Sequence, residues 1–63
     1  MDTLLIIGAG VMQLPAIRIA REMGLRAVVT DYNPHAPGMS MAHVPLVMST
    51  RDVQGTVRVA REI

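Results

Sequence analysis

Near the start of the chain stands Thr3-Leu4-Leu5-Ile6-Ile7-Gly8-Ala9-Gly10, followed directly by Val11-Met12-Gln13-Leu14-Pro15. The aliphatic run Leu4 to Ile7, half of it β-branched, predicts a short strand buried on both faces, as in a parallel sheet. Gly8 and Gly10 let the chain reverse sharply and let a ligand approach bare backbone. The helix expected after them directs its free N–H groups and positive dipole end back at the turn. Strand, glycine turn and helix in that order suit an anion or polar ligand at the strand's C-terminal end.

Working outward, Pro15 is tolerated only in a first turn, so regular helix is expected to begin between Met12 and Leu14. Met12, Ala16, Ile19, Ala20 and Met23 recur at helical spacing and read as the sheet-facing stripe, with Arg18, Arg21 and Glu22 opposite. Val11 and Leu14 fall near the polar side, either as scattered surface apolars or as a contact with another domain or subunit. Gly24 closes the helix. Arg26 to Thr30 then reads as a second strand, completing a βαβ unit whose crossover should be right-handed. Asp31 is placed at its C-terminal tip, on the same edge as the glycine turn.

Pro34, Pro37 and Gly38 punctuate a loop over Tyr32 to Gly38, and Met39 to Ala42 suits a single helical turn. His43 to Met48 predicts a third strand. Pro45 cannot donate to a ladder, which assigns that strand to an edge. Thr50 is the expected N-cap of a last helix, with Asp52 in its first turn and Val53, Val57, Ala60 and Ile63 recurring on its apolar face. Gly55 weakens this helix by up to ~1 kcal/mol relative to Ala. The expected fold is a single α/β domain over residues 1–63: a three-stranded parallel sheet in the order 3-2-1 with helices on both faces, half of a Rossmann-like domain.

Composition narrows the function classes. At 63 residues the chain buries only about 60% of its extended surface, so its core is marginal. It has no Phe, Trp or Cys, so aliphatic and Met side chains fill the core and no disulfide staples it. The net charge is +1, and all six cations are scattered Arg, which argues against a nucleic-acid partner. Asp2 stands where a signal peptide would be basic, and no apolar run reaches the roughly 20 residues of a membrane span, so a cytoplasmic protein without a membrane partner is expected.

The candidate binding residues are Gly8, Ala9, Gly10, Gln13 and Asp31. The turn reads Gly8-x-Gly10-x-x-Gln13, where the dinucleotide fingerprint has Gly or Ala last, and Gln13 is too large for that role. Asp31 lies 23 residues beyond Gly8 (31 − 8), near the spacing of a carboxylate that binds a ribose 2′-OH. Each has a plain alternative: a turn that only changes direction, a surface Gln, and an Asp that caps its own loop. His35 and His43 lack metal-pair spacing, so no metal site is expected. Met39 and Met41 suit gap-filling under the loop. No nucleophile–base pair is present and there is no Lys, which leaves no P-loop lysine, no Schiff base and no catalytic residue to assign.

Leu5-Ile6-Ile7-Gly8-Ala9-Gly10, Gln13-Leu14-Pro15-Ala16, Ala20-Arg21-Glu22-Met23-Gly24-Leu25 and Asp31-Tyr32-Asn33-Pro34-x-Ala36-Pro37-Gly38 together resemble the start of ATP-grasp ligases. They look most like proteins similar to the carbamoyl-phosphate synthetase large subunit, and Ser49-Thr50-Arg51-Asp52 is similar too. The resemblance covers essentially the whole chain. It implies the Rossmann-like domain preceding the ATP-grasp fold, with the glycine turn and Gln13 helping to hold the acceptor substrate. It implies ATP and Mg²⁺ for the full-length family, bound by a separate ATP-grasp domain, and places about half of the N-terminal domain in this chain.

Three functions stand open: a substrate-side module of such a ligase, catalytically incomplete alone; a half-Rossmann domain binding NAD(P) or another nucleotide; and a self-associating structural module. In the 3-2-1 order, strand Leu4 to Ile7 has one free edge without Lys, Pro or bulge, so a homodimer through that strand is expected.

Overall fold

The computed structural model describes residues 2–63. Strand β1 (Thr3–Ile7) leads through the glycine turn and a single 3₁₀ turn (Val11–Gln13) into helix α1 (Leu14–Glu22). Strand β2 (Arg26–Asp31), a second 3₁₀ turn (Pro37–Ser40), strand β3 (Val44–Val47) and helix α2 (Val53–Glu62) follow. All pairing is parallel in the order β1-β2-β3, with Leu5 opposite Val28 and Val28 opposite Val44. The architecture read from the sequence is the one observed.

Local chemistry explains the boundaries. Pro15 is the second residue of α1, where its missing N–H breaks no helical bond. At the other end Gly24 takes φ +78°, its N–H donates to Arg21 O, and Leu25 N–H donates to Ala20 O. These two bonds satisfy carbonyls that the helix end would otherwise orphan. Pro45 sits in the edge strand opposite Val29. Met48 N–H reaches back to Asp31 O, and alternation along a parallel ladder then points the N-side of Pro45 outward, where no donor is needed.

The core lies mainly between the sheet and α1. Ala27 and Val29 from the centre strand meet Ile17, Ala20, Ala9, Ala36 and Met39, with Ile6, Leu25, Met41 and Ala42 packed around them. Val28 and Thr30, alternating with them along β2, point to the opposite face and are also fully buried. The hydroxyls of Thr30 and Thr56 are buried without a hydrogen-bond partner among the described residues.

Several details differ from the sequence reading. In α1 the buried residues are Ile17 and Ala20, while Met12, Ala16, Ile19 and Met23 are exposed. The apolar arc is wider than the contact, and the sheet takes the side of it that Ile17 occupies. In α2 the buried residue is Gly55, with Val59 and Thr56 half-buried, while Val53, Val57, Ala60 and Ile63 are exposed. Its N-cap is Asp52, not Thr50: the Asp52 carboxylate accepts from Gly55 N–H at 2.8 Å. That carboxylate also occupies the space a Cβ on Gly55 would need, which explains a glycine inside a helix. The single turn expected at Met39 begins two residues earlier, at Pro37. His43 stands before β3, where its ring Nδ1 accepts from Ala27 N–H at 2.9 Å and its own N–H donates to Ala27 O. It seals the end of the sheet. Among the described residues no helix is long and apolar enough to cross a membrane.

Candidate functional site

The five residues singled out in the sequence come together at the C-terminal edge of the sheet. Ile7 ends β1, and Gly8 turns the chain with φ +99°, a conformation that strains any residue with a Cβ. Gly8 N–H donates to Thr30 O at 2.7 Å, which ties the turn to the tip of β2. Ala9 is fully buried, and its N–H donates to Asp31 Oδ2 at 2.8 Å. Gly10 stands at the entry of the 3₁₀ turn, where Gln13 N–H donates to its carbonyl.

The side chain of Gln13 folds back over this turn. A Cβ placed on Gly8 would stand 3.5 Å from Gln13 Cδ, and one placed on Gly10 would stand 3.2 Å from Gln13 Oε1. Both glycines therefore leave room for the carboxamide as much as for a change of direction. The amide is half-buried and carries two N–H donors and one carbonyl acceptor above bare backbone.

Asp31 is spent differently. Its Oδ2 takes the Ala9 N–H and its Oδ1 takes the Asn33 N–H, both at 2.8 Å. Asn33 repeats the device, accepting from His35 N–H at 2.9 Å. The carboxylate thus clamps the glycine turn to the start of the following loop. The Asn33 N–H foremost, then the Ala9 N–H, hold its carboxyl below the ordinary Asp value; partial desolvation opposes them and the Tyr32 N–H assists.

That depression has a measurable sign. The folded carboxyl lies below the unfolded value of about 3.9, so the charged form stabilises the fold. This stability is fully present above the unfolded value and is lost as pH falls through the folded one. Asp31→Asn is therefore expected to lower stability at neutral pH and to converge with the parent in strong acid. Urea unfolding at neutral and acid pH, with a carboxyl chemical-shift titration of the parent, measures both.

A third segment closes the site from the β3 side. Gly38 N–H donates to Ala9 O at 2.7 Å, so the second 3₁₀ turn rests directly on the glycine turn. Gly38 and Ala36, read from the sequence as plain loop, are buried. The nearest sequence signal is the Ala36-Pro37-Gly38 run itself, small residues in a loop that otherwise looks solvated.

An open groove of about 430 Å³ lies beside these residues, not on them. Its walls are Pro34, His35, Pro37 and Ser40 from the loop with Pro45 and Val47 from β3. None of Gly8, Ala9, Gly10, Gln13 and Asp31 lines it. Three prolines and two small polar groups give it shape without a charged anchor, so the glycine turn keeps the better chemistry. Among the described residues no cluster of three or more His, Asp or Glu side chains forms a metal centre.

Compared with protein-family models, curated proteins and solved structures, the chain matches none.

Proposed function

We propose that the chain is the N-terminal, substrate-side module of an ATP-grasp ligase similar to the carbamoyl-phosphate synthetase large subunit. In this role it holds the acceptor substrate on the glycine turn, and an ATP-grasp domain binds ATP and Mg²⁺. The observation that carries the reading is the Gln13 carboxamide lying over Gly8 and Gly10. A donor-rich amide above bare backbone, at the open edge of a parallel sheet, suits a small carboxylate or carbonate-like acceptor. The same amide takes up space in which a dinucleotide pyrophosphate would approach the two glycines. Asp31, the candidate for a ribose hydroxyl, already has a backbone N–H on each oxygen. Both points weigh against the NAD(P) alternative. With no lysine in the sequence, the chain has no side-chain amine for ATP phosphates.

Amide chemical shifts under titration test this reading. Bicarbonate or acetate is expected to move the Gln13 side-chain NH₂ and the Gly8 to Gly10 amides, and Gln13→Ala to abolish the response. ATP and NAD should leave these signals in place, and the purified chain should not hydrolyse ATP. Saturable NAD binding at the same amides would replace the ligase reading with the dinucleotide one. A Gln13 amide indifferent to every small anion would remove its support.

A further inference from the structure

The open edge of β1 and one flank of α1 form a single uncovered surface. Gly8 N–H donates to Thr30 O, and Arg26 N–H donates to Asp2 O. Given the parallel register, the alternation of the ladder turns the N–H and C=O groups of Leu4 and Ile6 toward β2. The corresponding groups of Thr3, Leu5 and Ile7 face outward, with no strand beside them in the order β1-β2-β3.

The flank of α1 is located by two contacts. Ile17 Cδ1 lies close to Gly38, and Arg21 Nη1 donates to Met41 O at 2.8 Å, so that side of the helix faces β3. At 100° per residue, Met12, Ala16, Ile19 and Met23 fall on the other side, along the open edge. These four side chains are apolar and all are exposed, Met12 at 85% and Met23 at 68%. Leu4, beneath the stripe, and Ile7, which shares the opposite face with Thr30, add nearly half-exposed surface along the same edge.

We infer that this surface is covered by a second copy of the chain, with β1 pairing antiparallel to its symmetry mate about a two-fold axis through Leu5. The hydrogen-bond pattern is self-complementary. Leu5 exchanges both backbone bonds with the partner's Leu5, and Thr3 exchanges both with the partner's Ile7. The axis stands normal to the sheet, so the two α1 stripes meet above the seam and a six-stranded sheet results. No charged side chain lies in the α1 stripe, so none is buried unpaired. Size agrees as well: with ordinary residue areas the α1 stripe, Leu4 and Ile7 expose on the order of 600 Å² per partner, which meets the roughly 1,200 Å² in total at the lower end of specific interfaces. The inference is independent of the ligand held at the glycine turn.

Sedimentation at micromolar concentration, paired with amide hydrogen exchange, tests it on the intact chain. The expected species has twice the chain mass. Leu5 and Ile7 amides should exchange more slowly as concentration rises, while Leu4 and Ile6, already bonded to β2, change little and serve as internal controls. Ile19→Lys and Met12→Glu place charge on exposed positions and should yield monomers with an unchanged circular dichroism spectrum. A chain that stays monomeric at high micromolar concentration overturns the inference, and the edge is then left to another partner's strand. A dimer whose Leu5 and Ile7 amides exchange as fast as in dilute solution, or one indifferent to both variants, overturns it equally.

Discussion

Replacing Ile17 by Ala is expected to leave most of the chain unfolded at room temperature. Ile17 is the largest fully buried side chain on α1. Truncating a buried aliphatic of this size typically costs ~2–5 kcal/mol, depending on how far the surroundings collapse into the hole. Ala9, Ala20, Ala27, Ala36 and Gly38 share the cluster or touch the side chain and have no flexible end to swing into the space, whereas Met39 and Met41 can shift to fill part of it. The cost should therefore lie near the middle of the range. A single core in a chain below about 70 residues rarely supplies more than ~3–5 kcal/mol in total, so one substitution removes most of it. Ile19→Ala is the matched control, two residues along the same helix and half-exposed. In monomer it should change stability by no more than about 0.5 kcal/mol. Urea unfolding of the two variants in dilute solution separates them. Equal losses would mean that α1 presents the Ile19 side to the sheet.

That pair of variants also marks where the sequence stops being legible. Strand positions, parallel pairing and the edge role of Pro45 follow from short apolar runs, a glycine-closed helix too short for any other crossover, and a proline that cannot donate. These are local constraints, and each has one solution. Which part of an apolar arc touches the sheet is not local. In α1 apolar residues recur on more than one side, and the sheet-facing side is chosen by contacts made later in the chain, chiefly Gly38 against Ile17. The same holds for α2, where Asp52 and Thr50 are both acceptable caps. The choice falls to Asp52 because its carboxylate reaches Gly55 N–H.

The convergence of the candidate residues was legible and their wiring was not. Gly8, Gly10, Gln13 and Asp31 do converge, because βα topology sends every strand's C-terminal end to one edge. The spacing from Gly8 to Asp31, however, is shared by a carboxylate that awaits a ligand and one that binds the turn itself. Only the Ala9 and Asn33 bonds distinguish them. His43 is a similar case: a polar residue before a strand gives no sign that its ring will take the Ala27 N–H.

Gly38→Ala should disturb both the core and the site, although Gly38 belongs to neither in the sequence. Its added Cβ would stand 2.6 Å from Ile17 Cδ1, 3.0 Å from Ala9 O and 3.1 Å from Ala9 Cα. The Ile17 methyl ends a flexible side chain and can retreat, at the cost of an off-rotamer turn in a filled core. The Ala9 backbone has less freedom. It is held by Gly38 N–H on its carbonyl and by Asp31 on its N–H, at 2.7 Å and 2.8 Å. Relieving the contact means lengthening one of these bonds. Overpacking of ~1–3 kcal/mol adds to a weakened buried hydrogen bond of about 1 kcal/mol, so a loss of ~2–4 kcal/mol is expected. Gly24→Ala is the instructive comparison. At Gly24 a Cβ meets nothing within 4 Å, and the cost is only the left-handed backbone, about 1–2 kcal/mol. A second readout separates a displaced turn from general loosening. If Ala9 moves away from Asp31, the carboxyl loses one of the two N–H groups that depress it most, and its titration shifts upward toward the ordinary Asp value. Gly24→Ala should leave that titration where it is. A Gly38→Ala protein with parental stability and an unmoved Asp31 titration would mean that the second 3₁₀ turn does not rest on Ala9 in solution.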